Sequence, residues 1–339
     1  MSDPTTYKAI QVAASGELEL TERPLLDAPA GEVRIRVEAC GICHTDATAV
    51  HSHPETEQGV VPGHEVVGVV DQVGPGVVGW EVGDRVGVGF LGGHCGHCDP
   101  CRHGDFVRCE NQDRTGVSRD GGYAEYMTAR ASGLVRIPAE YRSVAAAPLL
   151  CAGLTTYKGI LGADVKAGDT VAIQGIGGLG HLGIQYADKM GMNTVAIARG
   201  TEKEPFSLEL GADIYVDASD PEAAVESLKA LGGADLILAT ASSGASSSAL
   251  IGGLAGEGEL VVVGASDDPV TVSTGELIGR GVTVTGSLTG SPVENEENLA
   301  FAAREGVHAL IEESPLADAP AAFARMLAGD ARFRIVLVP

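Results

Sequence analysis

The stretch from Thr170 to Gly180, TVAIQGIGGLG, decides the fold of this chain. A short apolar run enters a glycine turn that matches G-x-G-x-x-G, and a helical stretch, Leu182 to Met190, follows it. A strand before the turn and a helix after it are the context in which this pattern binds a dinucleotide. The resulting candidate cofactor residues are Gly175, Gly177, Gly178, Leu179 and Gly180.

The three glycines of the G-x-G-x-x-G pattern each have a physical role. The first glycine permits the tight turn, and the second lets the pyrophosphate approach the backbone. The third lets helix and strand pack closely, and the helix N-terminus favours the phosphate charge.

Strands and helices alternate through the region around the glycine turn, from about residue 153 onward. Such alternation predicts a parallel sheet that is covered by helices on both faces, hence an α/β fold. The further strand candidates are Val195 to Ala198, Ile214 to Val216, Leu236 to Ala239, Leu260 to Val263 and Val282 to Thr285.

The end of the second strand bears on the choice of cofactor. An acid is expected there to hold the ribose 2′-hydroxyl of NAD, but Ala198 and Arg199 stand at this place. A guanidinium suits a 2′-phosphate, so NADP(H) is favoured over NAD(H), with Lys203 as a second cation if its loop folds back. The alternative is that Arg199 is merely solvated.

The first half of the chain has a different texture. Val33, Ile35 and Val37 alternate as in a strand, and residues 60–90 are rich in Val, Gly and turn residues. This pattern predicts a largely β region. Near the C-terminus, helical runs at Asn295–Arg304 and Ala319–Leu327 precede a final strand, Arg334–Val338. We therefore expect a domain at residues 1–152, a dinucleotide-binding domain at 153–287, and a return segment at 288–339.

Four cysteines fall in the segment GGHCGHCDPCRHGDFVRCEN with the spacing C-x2-C-x2-C-x7-C. Four thiolates make a closed tetrahedral zinc site, which is a structural site, although an iron–sulfur cluster uses related spacings. The neighbouring histidines, His94, His97 and His103, are predicted to be surface residues. The four cysteines are Cys95, Cys98, Cys101 and Cys109.

A second, split metal site is predicted from three separate segments. Cys43 lies in GICHTD, His64 and Glu65 lie in PGHE, and Cys151 lies in PLLCAG. Two thiolates and one imidazole leave a fourth position for water or substrate, as a catalytic zinc needs. Cys40 has no ligand role in this scheme, and core packing is its expected function.

The bulk composition restricts the class of protein. The net charge of −23 disfavours nucleic acid and anionic lipid as partners, and it indicates either simple solubility or a salt-rich host, since six lysines accompany 46 acidic residues. Met1 to Ile10 shows no signal-peptide pattern, and no apolar stretch reaches 18 residues, so a cytoplasmic location is expected.

The ordered set GICHTD, PGHEVVGVV, GDRVGVG, the four-cysteine loop, GGYAEY, PLLCAGLTTY and the glycine turn resembles the zinc-containing medium-chain alcohol dehydrogenases through nearly the whole chain. The resemblance implies a GroES-like catalytic domain with a Rossmann domain inserted. It also implies two zinc ions per chain, one catalytic and one structural, and a homotetramer or homodimer.

The resemblance assigns roles to several residues. Cys43, His64 and Cys151 match the catalytic zinc ligands, Asp46 matches the carboxylate that orients the histidine, and Glu65 matches an acid that assists ligand exchange at the zinc. Thr45 matches the hydroxyl that takes the alcohol's proton, and Phe90 matches a pocket-lining position. The positions that contact the pyrophosphate are matched by His44 and Arg334.

One position departs from many relatives, which carry a histidine five residues after the first zinc ligand. Thr48 stands there, so the proton relay ends in water or in His51.

The implied reaction is the interconversion of a small alcohol and its aldehyde or ketone, with hydride transfer to or from NAD(P). A polyol dehydrogenase or another zinc-dependent medium-chain reductase is the alternative, although polyol dehydrogenases often replace Cys151 with glutamate. A zinc-free quinone reductase would lack both metal sets. The net charge of −23 argues against a nucleic-acid zinc ribbon. The intact set of Cys43, His64 and Cys151 argues against a protein that has lost catalysis. Pocket size is set by loops such as residues 51–59 and 287–294.

Overall fold

The computed structural model describes residues 4–51 and 59–339. The β-strands of these residues, β1 to β15 in chain order, are Thr6–Val12, Leu18–Pro24, Glu32–Gly41, Val66–Val73, Arg85–Val88, Tyr126–Arg130, Leu134–Arg136, Thr170–Gln174, Asn193–Ala198, Ile214–Asp217, Ala234–Ala239, Leu254–Val262, Thr283–Gly286, Ile311–Pro315 and Arg334–Val338. The α-helices, α1 to α11, are Asp46–His51, Asp99–Arg102, Ser143–Ala146, Ala152–Leu161, Gly180–Lys189, Glu204–Glu209, Pro221–Ala230, Gly244–Leu250, Thr274–Arg280, Pro292–Glu305 and Ala319–Ala328. Short 3-10 turns are Phe106–Arg108, Ala131–Gly133, Ala147–Leu150, Ile251–Gly253 and Leu316–Asp318.

The chain divides into two compact units. The first comprises Met1–Leu154, Gly290–Arg304 and His308–Pro339, and the second comprises Thr155–Thr289 and Glu305–Val307. The domain boundaries expected from the sequence, after residues 152 and 287, stay predictions.

The second unit is built on a parallel sheet with the strand order β10-β9-β8-β11-β12-β13. The first strand of the unit, β8, lies in the middle, and the chain adds strands to one side of it and then to the other. This is the doubly wound order in which a dinucleotide binds at the carboxyl ends of the central strands. Val171, Ala172 and Ile173 of β8 are fully buried, as expected for a parallel strand covered on both faces. The predicted α/β Rossmann architecture is confirmed.

The first unit is rich in β-strands, as predicted, and most of its strand pairs are antiparallel. Its main sheet has the order β14-β15-β3-β4-β5-β7, β6 also pairs with β3, and β1 and β2 form a separate pair. Val33, Ile35 and Val37 of β3 are buried in alternation with more exposed neighbours. The C-terminal strand β15 pairs with the end of β3, where Leu337 lies opposite Cys40. The last strand of the chain is therefore built into the sheet just before Cys43.

Most predicted elements occur with small shifts of their ends. Strands β8 and β15 have the bounds that the sequence predicts, whereas β12 begins at Leu254, six residues before the predicted Leu260. A register shift lies in the pairing of β11 with β12, and Glu257 has a positive φ of 64°. This irregular, glycine-rich start lacks the alternation by which a strand is identified.

Two segments that the sequence analysis used lie partly outside the described residues. Residues 1–3 of the N-terminal segment and residues 52–58 of the loop at 51–59 lie outside them. Among the helices that are described, none alone has the length and apolar composition of a membrane span. One bent pair, Ser143–Leu150 with Ala152–Leu161, passes that test.

Candidate active site

The split site is centred on His64, which is fully buried and lies just before β4. Its Nδ1 lies 2.9 Å from Oδ1 of Asp46, the first residue of α1, and Asp46 is fully buried as well. Nε2 of His64 has no hydrogen-bond partner among the described residues. Burial alone would lower the pKa of His64, but the charges of Asp46 and Cys43 outweigh it and raise that pKa well above its usual value.

Cys43 and Cys151 reach this imidazole from two other segments. The Sγ atoms of both cysteines and a ring nitrogen of His64 all lie within 4.8 Å of one another. Cys43 follows β3 in a turn closed by Asp46, whose backbone N–H donates to the Cys43 carbonyl at 3.0 Å. In return, the Cys43 backbone N–H donates to Asp46 Oδ2 at 2.9 Å. The same carboxylate thus supports two members of the predicted ligand set.

The turn that carries Cys151 is held from a distant helix. Asn295 and Asn298 of α10 are buried, and their side-chain amides donate to the carbonyls of Leu150 at 2.9 Å and Leu149 at 3.0 Å. Sequence reasoning missed both asparagines, because nothing in a helical run indicates a partner about 150 residues away in the chain. Their polar side chains at i and i+3 were the only available signal.

The two thiols of the split site are electrostatically unequal. A hydrogen bond from Cys151 lowers the pKa of Cys43 well below its usual value, with the charge of His64 adding to this effect. The same hydrogen bond, together with burial, raises the pKa of Cys151. Of the two thiols, Cys43 therefore ionises more readily than Cys151.

Glu65 and Arg334 form a buried ion pair beside the thiols. Nη2 of Arg334, at the start of β15, donates to Oε1 of Glu65, and both residues are almost completely buried. Burial raises the pKa of Glu65 to about 7, against the lowering effect of Arg334. Oε2 of Glu65 has no partner among the described residues, and it lies where a Cβ at Gly41 would stand. Glu65 is not in the group whose donor atoms meet at Cys43, His64 and Cys151.

The other residues that the resemblance assigned lie around the Cys43 turn. Thr45 is half-buried, whereas His44, Thr48 and His51 are exposed. The ring of Phe90 stands edge-on to that of His64, with 5.2 Å between the ring centres. Cys40, which was expected to have only a packing role, is fully buried in the hydrophobic core of the first unit.

The four-cysteine loop forms a second cluster of metal donors. The sulfurs of Cys95, Cys98, Cys101 and Cys109 all lie within 4.8 Å of one another. Backbone N–H groups point at them: Cys95 N–H lies 3.3 Å from Cys109 Sγ, and Cys98 N–H lies 3.4 Å from Cys95 Sγ. The hydrogen bond from the His97 backbone is the largest of several that lower the pKa of Cys95 to about 5. These contacts favour a thiolate at Cys95, which is the form that binds zinc, whereas burial raises the pKa of Cys101 to about 12.

The histidines beside this loop are not all surface residues. His97 and His103 are exposed, as predicted. His94 is half-buried and stacks on Phe106 with 4.1 Å between ring centres. It packs against the loop without joining the sulfur cluster, and burial lowers its pKa.

Both clusters fit zinc by the chemistry of their donors. The loop supplies four sulfurs, which suit a closed tetrahedral ion. The split site supplies two sulfurs and an imidazole nitrogen that is buried without a partner, and such an unpaired polar atom is costly unless something binds it. Three protein donors leave one tetrahedral position for an exogenous ligand.

The glycine turn has the geometry that the pattern predicts. Gly175 has φ of +89°, and its N–H donates to the Ile197 carbonyl of β9 at 2.8 Å. A Cβ at Gly180 would overlap the carbonyl oxygen of Gly175, so this helix start tolerates only glycine. Apart from the adjoining residues, no described atom lies within 4 Å of a Cβ built on Gly177, which leaves that side of the turn open to a ligand. Gly178 and Leu179 complete the turn and are half-buried.

The two cations predicted to favour NADP(H) lie after β9. Arg199 follows Ala198 directly and is exposed. The loop beyond it does fold back, since Nζ of Lys203 donates to the carbonyl of Ile176 inside the glycine turn at 2.8 Å. This positive charge therefore lies against the turn on which a pyrophosphate would rest.

Comparisons with known proteins agree with this arrangement. Residues 29–139 match the model of the alcohol dehydrogenase GroES-like domain, and residues 178–328 match that of the zinc-binding dehydrogenases. The chain is 41% identical over 338 residues to the alcohol dehydrogenase notN of Aspergillus sp. (strain MF297-2), covering 99% of each chain.

Solved structures give the same result. A cinnamyl alcohol dehydrogenase of Sorghum bicolor is similar with a TM-score of 0.88 and 32% identity, over 99% of this chain and 98% of that chain. A CAD of Helicobacter pylori complexed with NADP(H) is similar with a TM-score of 0.87 and 26% identity, over 98% of each chain.

Proposed function

The chain belongs to the zinc-containing medium-chain alcohol dehydrogenase family, and we propose that it interconverts a small alcohol and its aldehyde or ketone at a zinc ion held by Cys43, His64 and Cys151. Membership of the family makes the protein an alcohol oxidoreductase that uses a nicotinamide cofactor. The observation that carries the finer proposal is the buried group of two sulfurs and one unpartnered imidazole nitrogen, all within 4.8 Å of one another.

Zinc supplies Lewis-acid chemistry at such a site: it polarises a carbonyl oxygen and eases the loss of a hydroxyl proton, while the nicotinamide accepts or donates the hydride. The protein supports this chemistry by fixing the donor set. Asp46 faces Nδ1 of His64 at 2.9 Å, so it keeps the ring proton on Nδ1 and leaves Nε2 to face the two sulfurs.

The proton that leaves the alcohol passes to the chain's own hydroxyl groups in this proposal. Thr45 is half-buried two residues after Cys43 and takes the proton, and it returns the proton in the reduction direction. His51, at the end of α1, is exposed and can release the proton to solvent. Thr48 lies between them in the chain, on the same short helix as His51. The outer part of the relay is thus water or His51.

Glu65 serves in the proposal as a reserve ligand. One carboxylate oxygen is engaged by Arg334, and the other is buried without a partner. A carboxylate that moves toward the ion while ligands exchange would keep the ion bound through the reaction. Arg334 would hold Glu65 in place and also contact the pyrophosphate, together with the exposed His44.

The preferred cofactor is NADP(H) in this proposal, with NAD(H) as the alternative. No acid ends β9 itself, and Arg199 and Lys203 supply positive charge beside it. The nearest described carboxylate on the adjoining strand, that of Asp217, accepts the Gly200 N–H at 2.8 Å. A charge-assisted contact from Arg199 is worth about 1.5–3 kcal/mol, or roughly ten- to a hundredfold in kcat/KM.

Steady-state assays with a panel of alcohols and aldehydes, each with both cofactors, test the proposal. We expect aldehyde-dependent oxidation of NADPH and a higher kcat/KM for NADP(H) than for NAD(H). Arg199→Ala should remove most of that preference, whereas Arg114→Ala, which removes another exposed guanidinium in the first unit, should leave it unchanged. A parent enzyme that prefers NAD(H), with no change in Arg199→Ala, would show that Arg199 holds no phosphate.

The remaining expectations stay predictions. Two zinc ions per chain follow from the two sulfur clusters, and a homotetramer or homodimer and a cytoplasmic location follow from the sequence. A polyol dehydrogenase is the alternative activity, and it would appear in the same panel as a preference for polyols.

A further inference from the structure

Residues 120–123, Asp-Gly-Gly-Tyr, lie beside the segment that leads into His64, and we call them the 120–123 clamp. Its last three residues begin the GGYAEY motif, to which the activity assigns no role. Four hydrogen bonds join the two segments: Val61 N–H to Asp120 Oδ1 at 2.9 Å, Gly121 N–H to the Val61 carbonyl at 2.7 Å, Gly122 N–H to the Gly63 carbonyl at 2.9 Å and Tyr123 N–H to the Pro62 carbonyl at 3.0 Å.

The approach of these two segments leaves no room for side chains at three glycines. A Cβ at Gly121 would overlap the Gly63 carbonyl oxygen, and one at Gly122 would overlap a methyl group of Val66. A Cβ at Gly63 would overlap the ring of Tyr123. The fold therefore brings the Tyr123 ring directly against the residue that precedes His64.

The phenol of Tyr123 ends on the carboxylate that supports the split site. Its hydroxyl donates to Oδ2 of Asp46 at 2.7 Å, and both side chains are fully buried. The same oxygen accepts the Cys43 N–H at 2.9 Å. The other oxygen, Oδ1, lies 3.2 Å from the Gly63 N–H and 2.9 Å from His64 Nδ1. Three hydrogen bonds and the close contact with the His64 ring thus act on the carboxylate, and they fix it in one rotation.

We propose that Tyr123 is a positioning residue of the active site: through Asp46 it holds the His64 imidazole in the orientation that binds zinc. The inference rests on the proposed zinc ligands, to which Tyr123 is linked through Asp46. Without the phenol, Oδ2 keeps only the Cys43 N–H, and a buried carboxylate that is less restrained can rotate away from His64. Outer partners of ligating histidines typically contribute 10- to 100-fold in metal affinity or activity.

The test is the removal of zinc from the holoenzyme by dipicolinate, followed as zinc per chain against time. Tyr123→Phe keeps the ring and deletes only the hydroxyl. We expect it to lose the zinc of the split site at least about tenfold faster than the parent does. The zinc of the four-cysteine loop should be lost at the same rate as in the parent. Tyr141→Phe is the matched control, because the Tyr141 hydroxyl has no hydrogen-bond partner among the described residues, and we expect it to behave as the parent.

A double-substitution cycle separates positioning from packing. Asp46→Asn, Tyr123→Phe and the double variant are compared for the dissociation constant of split-site zinc, measured by competition with the same chelator. If Tyr123 acts through Asp46, the double variant binds zinc no more weakly than Asp46→Asn alone. The proposal is overturned if the effects of the two substitutions on the zinc dissociation constant multiply. It is also overturned if Tyr123→Phe loses zinc at the parent rate, loses both zinc ions or fails to fold.

Failure of this inference is distinguishable from failure of the proposed function. If Cys43→Ser holds as much zinc as the parent enzyme, the ligand assignment itself is refuted. If Cys43→Ser lacks one zinc but Tyr123→Phe binds that zinc as tightly as the parent, only the role of Tyr123 is refuted.

Discussion

The four cysteines of the loop lie between residues 95 and 109, whereas Cys43, His64 and Cys151 come from three segments that only the fold brings together. The loop orders its sulfurs with its own backbone, through N–H groups of Cys95, Cys98 and Asn111. The split site depends on a β-strand pairing, on the Asp46 carboxylate with its three hydrogen bonds and on a helix that starts at Pro292. A site that a short stretch builds can support folding, while a site that the fold assembles can keep a position open for chemistry.

The largest expected effect is on turnover when the assembled site loses a ligand. Cys43→Ser removes the thiolate that forms most readily, so we expect kcat to fall by at least about 10³-fold, because metal-assisted charge stabilisation contributes several kcal/mol. Cys40→Ala is the control: this neighbouring thiol is buried in the core and belongs to neither sulfur cluster. It should keep turnover within a few-fold of the parent. Near-normal turnover in Cys43→Ser would show that catalysis does not use this site.

The reverse pattern is expected for the continuous site. Cys98→Ser should lower the free energy of unfolding by about 4 kcal/mol or more, since metal binding at a closed site contributes folding energy. Urea denaturation measures this, with Cys43→Ser beside it, for which we expect a clearly smaller change. Equal destabilisation by both substitutions would erase the distinction between a folding site and a chemical site.

A smaller effect is expected at the glycine turn, which is also built by a continuous stretch. Gly180→Ala forces a Cβ into the Gly175 carbonyl and should lower the free energy of unfolding by about 2 kcal/mol. Gly177→Ala meets open space, so it should leave stability unchanged and weaken NADPH binding roughly tenfold, because the new methyl group occupies the approach of the pyrophosphate. Titration with NADPH and urea denaturation measure the two effects. Destabilisation by Gly177→Ala, or none by Gly180→Ala, would contradict this account of the turn.

The same contrast explains how far the sequence predicts the molecule. The four-cysteine loop is predicted from its spacing, and the glycine turn from its spacing together with the strand before it and the helix after it, because their geometry is local. The parallel sheet is predicted from the alternation of apolar strands and helices, and its strand order agrees with the dinucleotide-binding pattern. The split site is predicted only by the order of several motifs, since no spacing links Cys43 to Cys151.

The supporting contacts could not be predicted, because their partners are far apart in the chain. Asn295 bonds to a carbonyl 145 residues before it, and Tyr123 bonds to a carboxylate 77 residues before it. Arg334 was expected at the pyrophosphate, and the structure adds its buried pairing with Glu65, which arises because β15 returns to the end of β3. Such contacts follow from strand register, which the local pattern of residues does not determine.

The most direct test of the account is the zinc content of the parent and of Cys43→Ser, each purified without added metal and measured by elemental analysis. The account predicts about two zinc ions per parent chain. It predicts about one in Cys43→Ser, with the melting temperature within a few degrees of the parent. One zinc per chain in a fully active parent, or two retained in Cys43→Ser, would contradict the claim that the assembled site binds its own catalytic ion.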